Sequence, residues 1–152
     1  MKVFIGRHGE ATFNAPSDRE RALTDNGVKA CQALIEAQQA AFSGVTQLWS
    51  SDLVRAQQTA AIYAEKLGLE TQTREYLAPD YDAEEVIEAL AKEAFTGDLL
   101  LVSHQPLVGD LVSVLASGNV FDAHPYVTSE IVVLELDEWA KGCATKIAEY
   151  RP

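Results

Sequence analysis

Short apolar runs alternate along this chain with stretches of helical periodicity, and the alternation predicts the elements. Val3 to Ile5 reads as a first strand. Arg21 to Gly27 leads into a helix over roughly 27–42, with Thr24 as its cap and Val28, Cys31, Leu34 and Ile35 on one buried face. Ser43-Gly44 ends it. Val45 to Ser50 is a second strand, and a helix from Asp52 to Leu67 follows, closed by Gly68. Leu69 to Arg74 reads as a short third strand, Leu77 to Asp82 as a loop, and Ala83 to Phe95 as a helix with Val86, Ile87 and Leu90 inward. The most apolar strand is Leu99 to Val102, and a helix runs from Pro106 to Leu115, with proline tolerated in its first turn. Ile131 to Leu136 and Ala144 to Tyr150 read as two late strands paired around Lys141-Gly142.

Strands alternating with helices in this way predict a three-layer α/β/α sandwich with a mostly parallel central sheet. At 152 residues and 47% hydrophobic, the chain is expected to form one domain spanning residues 1–152, with a core large enough to sustain it. No internal repeat, low-complexity tract or linker divides it. Charge narrows the function. With 12 basic and 23 acidic residues the net charge is −11, so the surface as a whole repels nucleic acid and anionic membranes, and neither is expected as a partner. An anion site in such a field must be a local positive pocket. The first residues lack the basic region and apolar core of a signal peptide, and no run approaches the length of a membrane span. Cys31 and Cys143 lie far apart in no metal-like spacing, which favours a reducing, cytoplasmic setting over a disulfide framework.

Three polar clusters sit at the carboxyl ends of predicted parallel strands: Arg7-His8-Gly9, Ser50-Ser51 with Arg55, and Ser103-His104. Ligands bind at such strand ends in open α/β sheets, so the three clusters can share one crevice. Two guanidiniums and two imidazoles converging there suit an anion that is both held and attacked, and a phosphoryl group fits best. His8 is the candidate nucleophile, since a neutral imidazole attacks phosphorus and splits one hard displacement into two easier ones. Neighbouring guanidiniums would depress its pKa and stabilise charge on the transferring oxygens. Gly9 lets backbone approach a ligand closely or adopt a positive φ. Each cluster also has an ordinary reading. Arg7-His8-Gly9 alone is equally a solvated turn, Arg55 alone a helix-surface arginine, and His104 alone a core histidine with a backbone partner. His124, in a polar loop beside Pro125, has no comparable context. His8 and His104 form no close ligand pair of the kind a metal site needs.

Together the motifs Arg7-His8-Gly9-Glu10-Ala11, Arg21-x-Leu23-Thr24-x-x-Gly27, Ser50-Ser51-x-x-x-Arg55-Ala56-x-Gln58-Thr59 and Val102-Ser103-His104-x-Pro106 resemble the histidine phosphatase (phosphoglycerate mutase-like) superfamily. Order, spacing and short length most resemble its bacterial SixA branch, the phosphohistidine phosphatases. The resemblance implies that His8 is the phosphorylated nucleophile, that Arg7, Arg55 and His104 complete the phosphate pocket, and that His104 acts as a charged hydrogen-bond donor. It implies no metal or organic cofactor. The partner it implies is a phosphohistidine-bearing protein, either a histidine-containing phosphotransfer domain or a phosphocarrier, with inorganic phosphate as product.

Larger members of that superfamily protonate an alkoxide leaving group with a carboxylic acid from a segment after the second helix. Here the corresponding stretch, Arg74 to Asp80, is short. It offers Glu75 and Asp80, which read more readily as solvated loop carboxylates than as that acid. A weak acid still suits a phosphorus–nitrogen bond, because a protonated imidazole leaves readily. Tyr126 to Glu130 is a further candidate to line the pocket, through Thr128 or Ser129. Two other functions are compatible with these residues: a small-molecule phosphomonoesterase or mutase with the same chemistry, and a module that binds phosphohistidine without hydrolysing it.

Overall fold

The computed structural model describes residues 1–152. Its strands are β1 (Lys2–Arg7), β2 (Val45–Ser50), β3 (Thr71–Thr73), β4 (Asp98–Ser103), β5 (Ile131–Leu136) and β6 (Ala144–Tyr150). The helices are α1 (Asp25–Ala37), α2 (Val54–Leu67), α3 (Ala83–Ala91) and α4 (Leu107–Ser117). The six strands form one sheet in the order β3-β2-β4-β1-β5-β6. The first four in that order are mutually parallel, while β5 runs antiparallel to both β1 and β6.

Alternation along each strand decides which layer a side chain joins. Leu99 and Leu101 of β4, with Val3 and Ile5 of β1, pack under α3 and α4. Leu100, Val102 and Phe4 point to the opposite face, under α1 and α2. The run Leu99-Leu100-Leu101-Val102 is thus apolar throughout because both faces of β4 are covered. Each such side chain contributes roughly 1.5–3 kcal/mol by leaving water.

Local chemistry fixes most helix ends. The Thr24 side chain accepts a hydrogen bond from Gly27 N at 3.0 Å and caps α1 as expected. Asp82 and Glu85 form a reciprocal capping box at the start of α3. Gly68 closes α2 in the left-handed conformation, φ 66°. Several boundaries differ from expectation. The α1 helix ends at Ala37, and a 3₁₀ turn over Gln39–Phe42 brings Phe42 beneath the sheet, its ring centroid 4.6 Å from that of Phe4. The α2 helix begins at Val54 rather than Asp52, and its first N–H donates to Arg19 O at 3.1 Å from a preceding loop. The α3 helix stops at Ala91, so Phe95 lies outside it and packs edge-on against Trp49 at 5.1 Å. Pro106 is the cap of α4, one residue before the helix begins.

Candidate active site

Strand register brings the polar clusters level with one another. Arg7 pairs with Ser103, and Ser50 with Val102, so β1, β4 and β2 end along one rim of the sheet. The main chain continues the ladder past the strands: His8 N donates to Ser103 O at 3.0 Å, and Ser51 N to Val102 O at 3.2 Å. His8, Ser51 and His104 are therefore the first residues beyond three adjacent strands. The two imidazoles face each other with ring centroids 5.0 Å apart. Both are buried, as is Arg55 at the start of α2.

The hydrogen bonds of His8 define which nitrogen can react. Nδ1 lies 2.7 Å from Gly9 O and must donate to that carbonyl. Nε2 therefore keeps its lone pair, and Arg55 Nε donates toward it at 3.3 Å. Burial, followed by the charges of Arg55 and Arg7, pushes the His8 pKa down to about 4, against the opposing effect of the Gly9 bond. The imidazole is neutral at physiological pH, with its nucleophilic atom directed at a guanidinium.

His104 is held by Ser51. The Ser51 hydroxyl accepts from Leu53 N at 3.3 Å and lies 2.6 Å from His104 Nε2, where either atom can be the donor. Nδ1, on the other side of the ring, is buried without a partner in the protein, and it carries the ring proton in the tautomer that accepts from Ser51. Burial, then His8 and Arg55, pushes the His104 pKa down to about 3. Among the protein's own groups the His104 ring is thus neutral. A charged form requires an anion beside it to raise that value.

The guanidiniums come from three segments. Arg7 Nη1 donates to Tyr126 O at 3.0 Å, while its Nε is buried with no partner. Burial, then Arg55 and Arg21, lowers its pKa. Arg55 also donates from Nη1 to Asp18 O at 2.7 Å and from Nη2 to Asp18 Oδ2 at 3.3 Å. Arg21 reaches the other oxygen of the same carboxylate at 3.2 Å. Burial alone would raise the Asp18 carboxyl, but the hydrogen bond from Arg21 and the charge of Arg55 outweigh it and hold it below its ordinary value. Unpartnered Arg7 Nε and His104 Nδ1 beside a neutral nucleophile form a set of donors suited to the oxygens of a tetrahedral oxyanion.

Gly9 serves close packing rather than a positive φ, which it does not adopt. A Cβ there would meet Cys31 Sγ at 2.8 Å. Its N–H donates to Thr59 Oγ1 at 3.0 Å, and that hydroxyl donates to Arg55 O at 2.8 Å, so one side chain couples the His8 turn to α2. Ser129 joins the site through its backbone, N to His8 O at 3.0 Å, with φ at 66°. Its hydroxyl turns away to Cys31 Sγ at 3.3 Å, so it does not line the pocket. Thr128 makes no hydrogen bond to the site side chains. Glu75 is exposed and accepts from Tyr81 Oη at 3.3 Å, with no hydrogen bond to His8, Arg55 or His104.

Sequence reasoning missed Asp18, quoted Thr59 only within a motif, and expected the segment from Tyr126 to Glu130 to act through Thr128 or Ser129 rather than through Tyr126 and Glu130 themselves. Glu130 is fully buried. Its carboxylate accepts from Val127 N, His124 Nε2 and Arg151 Nε, and its carbonyl accepts from Arg7 N, so it fixes the loop that holds Arg7. His124, Glu130 and Glu149 bring ligand-type atoms within 4.8 Å of one another. The Arg151 guanidinium already supplies positive charge there, 3.3 Å from Glu130 and 3.7 Å from Glu149, so the cluster reads as an ion-pair network.

Comparison with known proteins agrees with this geometry. The model of the histidine phosphatase superfamily (branch 1) matches residues 3–79. Phosphohistidine phosphatase SixA of Escherichia coli (strain K12) is 33% identical over 147 residues, covering 93% of this chain and 89% of that protein. A SixA homolog from Haemophilus influenzae is 34% identical over 87% of this chain and 88% of its own length. Among solved structures, the protein histidine phosphatase SixA complexed with tungstate superimposes with a TM-score of 0.88 at 32% identity, covering all of this chain and 97% of the other.

Proposed function

The chain belongs to the histidine phosphatase superfamily, and from that premise we propose that it is a phosphohistidine phosphatase acting on a protein, with His8 as the nucleophile. The observation that carries the reading is the lone pair of His8 Nε2, fixed by the Nδ1 bond to Gly9 O and faced by Arg55. In the first step Nε2 attacks phosphorus, and the phosphorus–nitrogen bond to the substrate imidazole breaks as that ring takes up a proton from solvent, which the attacking water returns in the second step. In the second step water attacks phospho-His8, releasing inorganic phosphate and regenerating the neutral ring. Arg7 and Arg55 hold the equatorial oxygens in both steps, and His104 Nδ1 donates to one of them. The relative solved with tungstate, itself a tetrahedral oxyanion, supports an oxyanion pocket in this fold.

A protein substrate is favoured by the shape of the surface. The cavities of this structure, roughly 200–320 Å³, lie beside α1, between α1 and α2 and against α3 and α4, and none is lined by His8, Arg55 or His104. Small-molecule sites enclose most of their ligand. Here no such cavity encloses the reactive nitrogen, which suits a histidine projecting from another protein, such as a phosphotransfer domain or a phosphocarrier. The turning of Glu75 to Tyr81 also fits, since an imidazole needs less acid assistance in leaving than an alkoxide.

The test is a comparison of turnover on a phosphohistidine-bearing carrier and on a generic phosphomonoester, each with His8→Ala as blank. Strong preference for the carrier, lost in the variant, is the expected result. Preference for the monoester would move the assignment to a small-molecule phosphatase, and tight phosphate retention without turnover would make the protein a binding module.

A further inference from the structure

We propose that Phe13, held under the Arg21 guanidinium, is a docking contact for the protein that carries the phosphohistidine, meeting an apolar side chain beside that residue. The inference rests on the phosphohistidine phosphatase reading and adds where the carrier is gripped. Phe13 is 86% exposed. An isolated exposed phenylalanine needs no explanation, but this one is built into a framework. The Arg21 guanidinium carbon lies 4.1 Å from the ring centroid. Arg21 is itself fixed by donating to Thr12 O at 2.9 Å, Ala11 O at 3.5 Å and Asp18 Oδ1 at 3.2 Å. The backbone below is tied down too, with Thr12 N donating to Ala22 O at 2.8 Å and Ala11 bridging to Leu23. The ring is thus presented in a set position, and little freedom remains to be lost on binding. Phe121 is as exposed and donates its N–H to Asn119 Oδ1 at 3.0 Å, but no cation stacks on its ring.

Position explains what the ring would touch. Phe13 stacks on Arg21, Arg21 binds Asp18, Asp18 binds Arg55, and Arg55 donates to His8 Nε2. Three side chains separate the ring from the reacting nitrogen. A phosphoramidate or a free phosphohistidine at His8 is too small to span that distance, whereas a carrier protein that inserts its phosphohistidine must lay adjoining surface over the rim. Rigid aromatic side chains next to a desolvated centre are the usual energetic anchors of protein contacts. Phe13 therefore sets affinity for the carrier without taking part in the chemistry.

The experiment measures kcat and KM for the wild-type protein, Phe13→Ala and Phe13→Leu. Three substrates are used: a phosphorylated phosphotransfer domain, a phosphorylated phosphocarrier protein, and phosphoramidate. Loss of one large apolar contact predicts a rise in KM of about tenfold to a hundredfold for Phe13→Ala on a carrier, with phosphoramidate turnover unchanged and most of the loss recovered by Phe13→Leu. Unchanged KM on both carriers overturns the proposal. Equal losses on carrier and phosphoramidate also overturn it, because Phe13 would then merely prop Arg21. Wild-type turnover of phosphoramidate but of neither carrier would instead fail the protein-substrate reading, and the docking contact with it.

Discussion

Lowering the pH from 7.5 to 5 should destabilise the fold by about 4 kcal/mol through His8 and His104 together. The pKa of His8 is pushed down to about 4 and that of His104 to about 3, whereas the same rings in the unfolded chain titrate near 6.5. Below 6.5 the unfolded chain therefore takes up protons that the native state refuses, and stability falls as the pH falls, recovering as it rises. Each pH unit in that window is worth about 1.4 kcal/mol per proton, so pH 5 costs about 2 kcal/mol for each ring. The carboxyls of Asp18 and Glu149, held below their ordinary values of 3.8 and 4.5, add their losses at lower pH, leaving this window to the imidazoles. The assay is urea denaturation at both pH values and constant ionic strength, in phosphate-free buffer, because a bound anion would stabilise the native state. His8→Asn keeps a donor for Gly9 O and His104→Gln keeps a polar atom for Ser51. Each variant should lose about half of the difference between the two pH values. A wild-type protein equally stable at pH 5 and 7.5, or variants that retain the full difference, would refute the assignment of both rings as buried and neutral.

Arg55→Lys should lower kcat on a phosphohistidine substrate by about a hundredfold to a thousandfold, because one ammonium cannot face His8 and bind Asp18 at two points, as the guanidinium does; activity within a few-fold of wild type would contradict that role. Gly9→Ala should destabilise the protein by about 1–3 kcal/mol, since its methyl would press on Cys31 Sγ. Adding Cys31→Ala should recover part of that loss in a thermal melt, and failure to recover any would point to another source of strain. Glu75→Gln should leave hydrolysis of phosphohistidine within about twofold of wild type, and a tenfold drop measured under single-turnover conditions would identify Glu75 as the missing acid.

Much of the frame was legible because short-range chemistry wrote it. Thr24 and Gly68 mark helix ends through bonds and dihedrals that involve only their neighbours, and the four apolar residues of β4 announce a strand covered on both faces. Arg7, His8, Arg55 and His104 stood out by their positions at strand exits, and the sheet register brings them to one rim. Sequence proximity gave no hint of Asp18, which lies in a polar loop and meets Arg55 across 37 positions. The segment that begins at Tyr126 was a candidate, but the role of the Tyr126 carbonyl, accepting from Arg7 across 119 positions, was not legible. The ends of α1 and α3 were misplaced for a similar reason. No glycine or proline stops either helix. Phe42 is drawn to Phe4, and Glu93 to Arg74 and Tyr76.

The ladder that runs on past the strands into His8 and Ser51 bears on how the molecule opens. Amides bonded to Ser103 O and Val102 O lie in the middle of the sheet, between β1, β4 and β2, and cannot part from those carbonyls unless the central strands separate. Such amides exchange with solvent only through the largest, most global openings. The reacting groups thus belong to the last part of the protein to come apart, whereas the rims at 11–24 and 118–130 are irregular segments outside the sheet. What enters the crevice can be altered at rim positions such as Phe13, away from Asp18, Tyr126, Ser129 and Glu130, whose bonds hold Arg55, Arg7 and His8, while the part that performs the transfer stays locked in place.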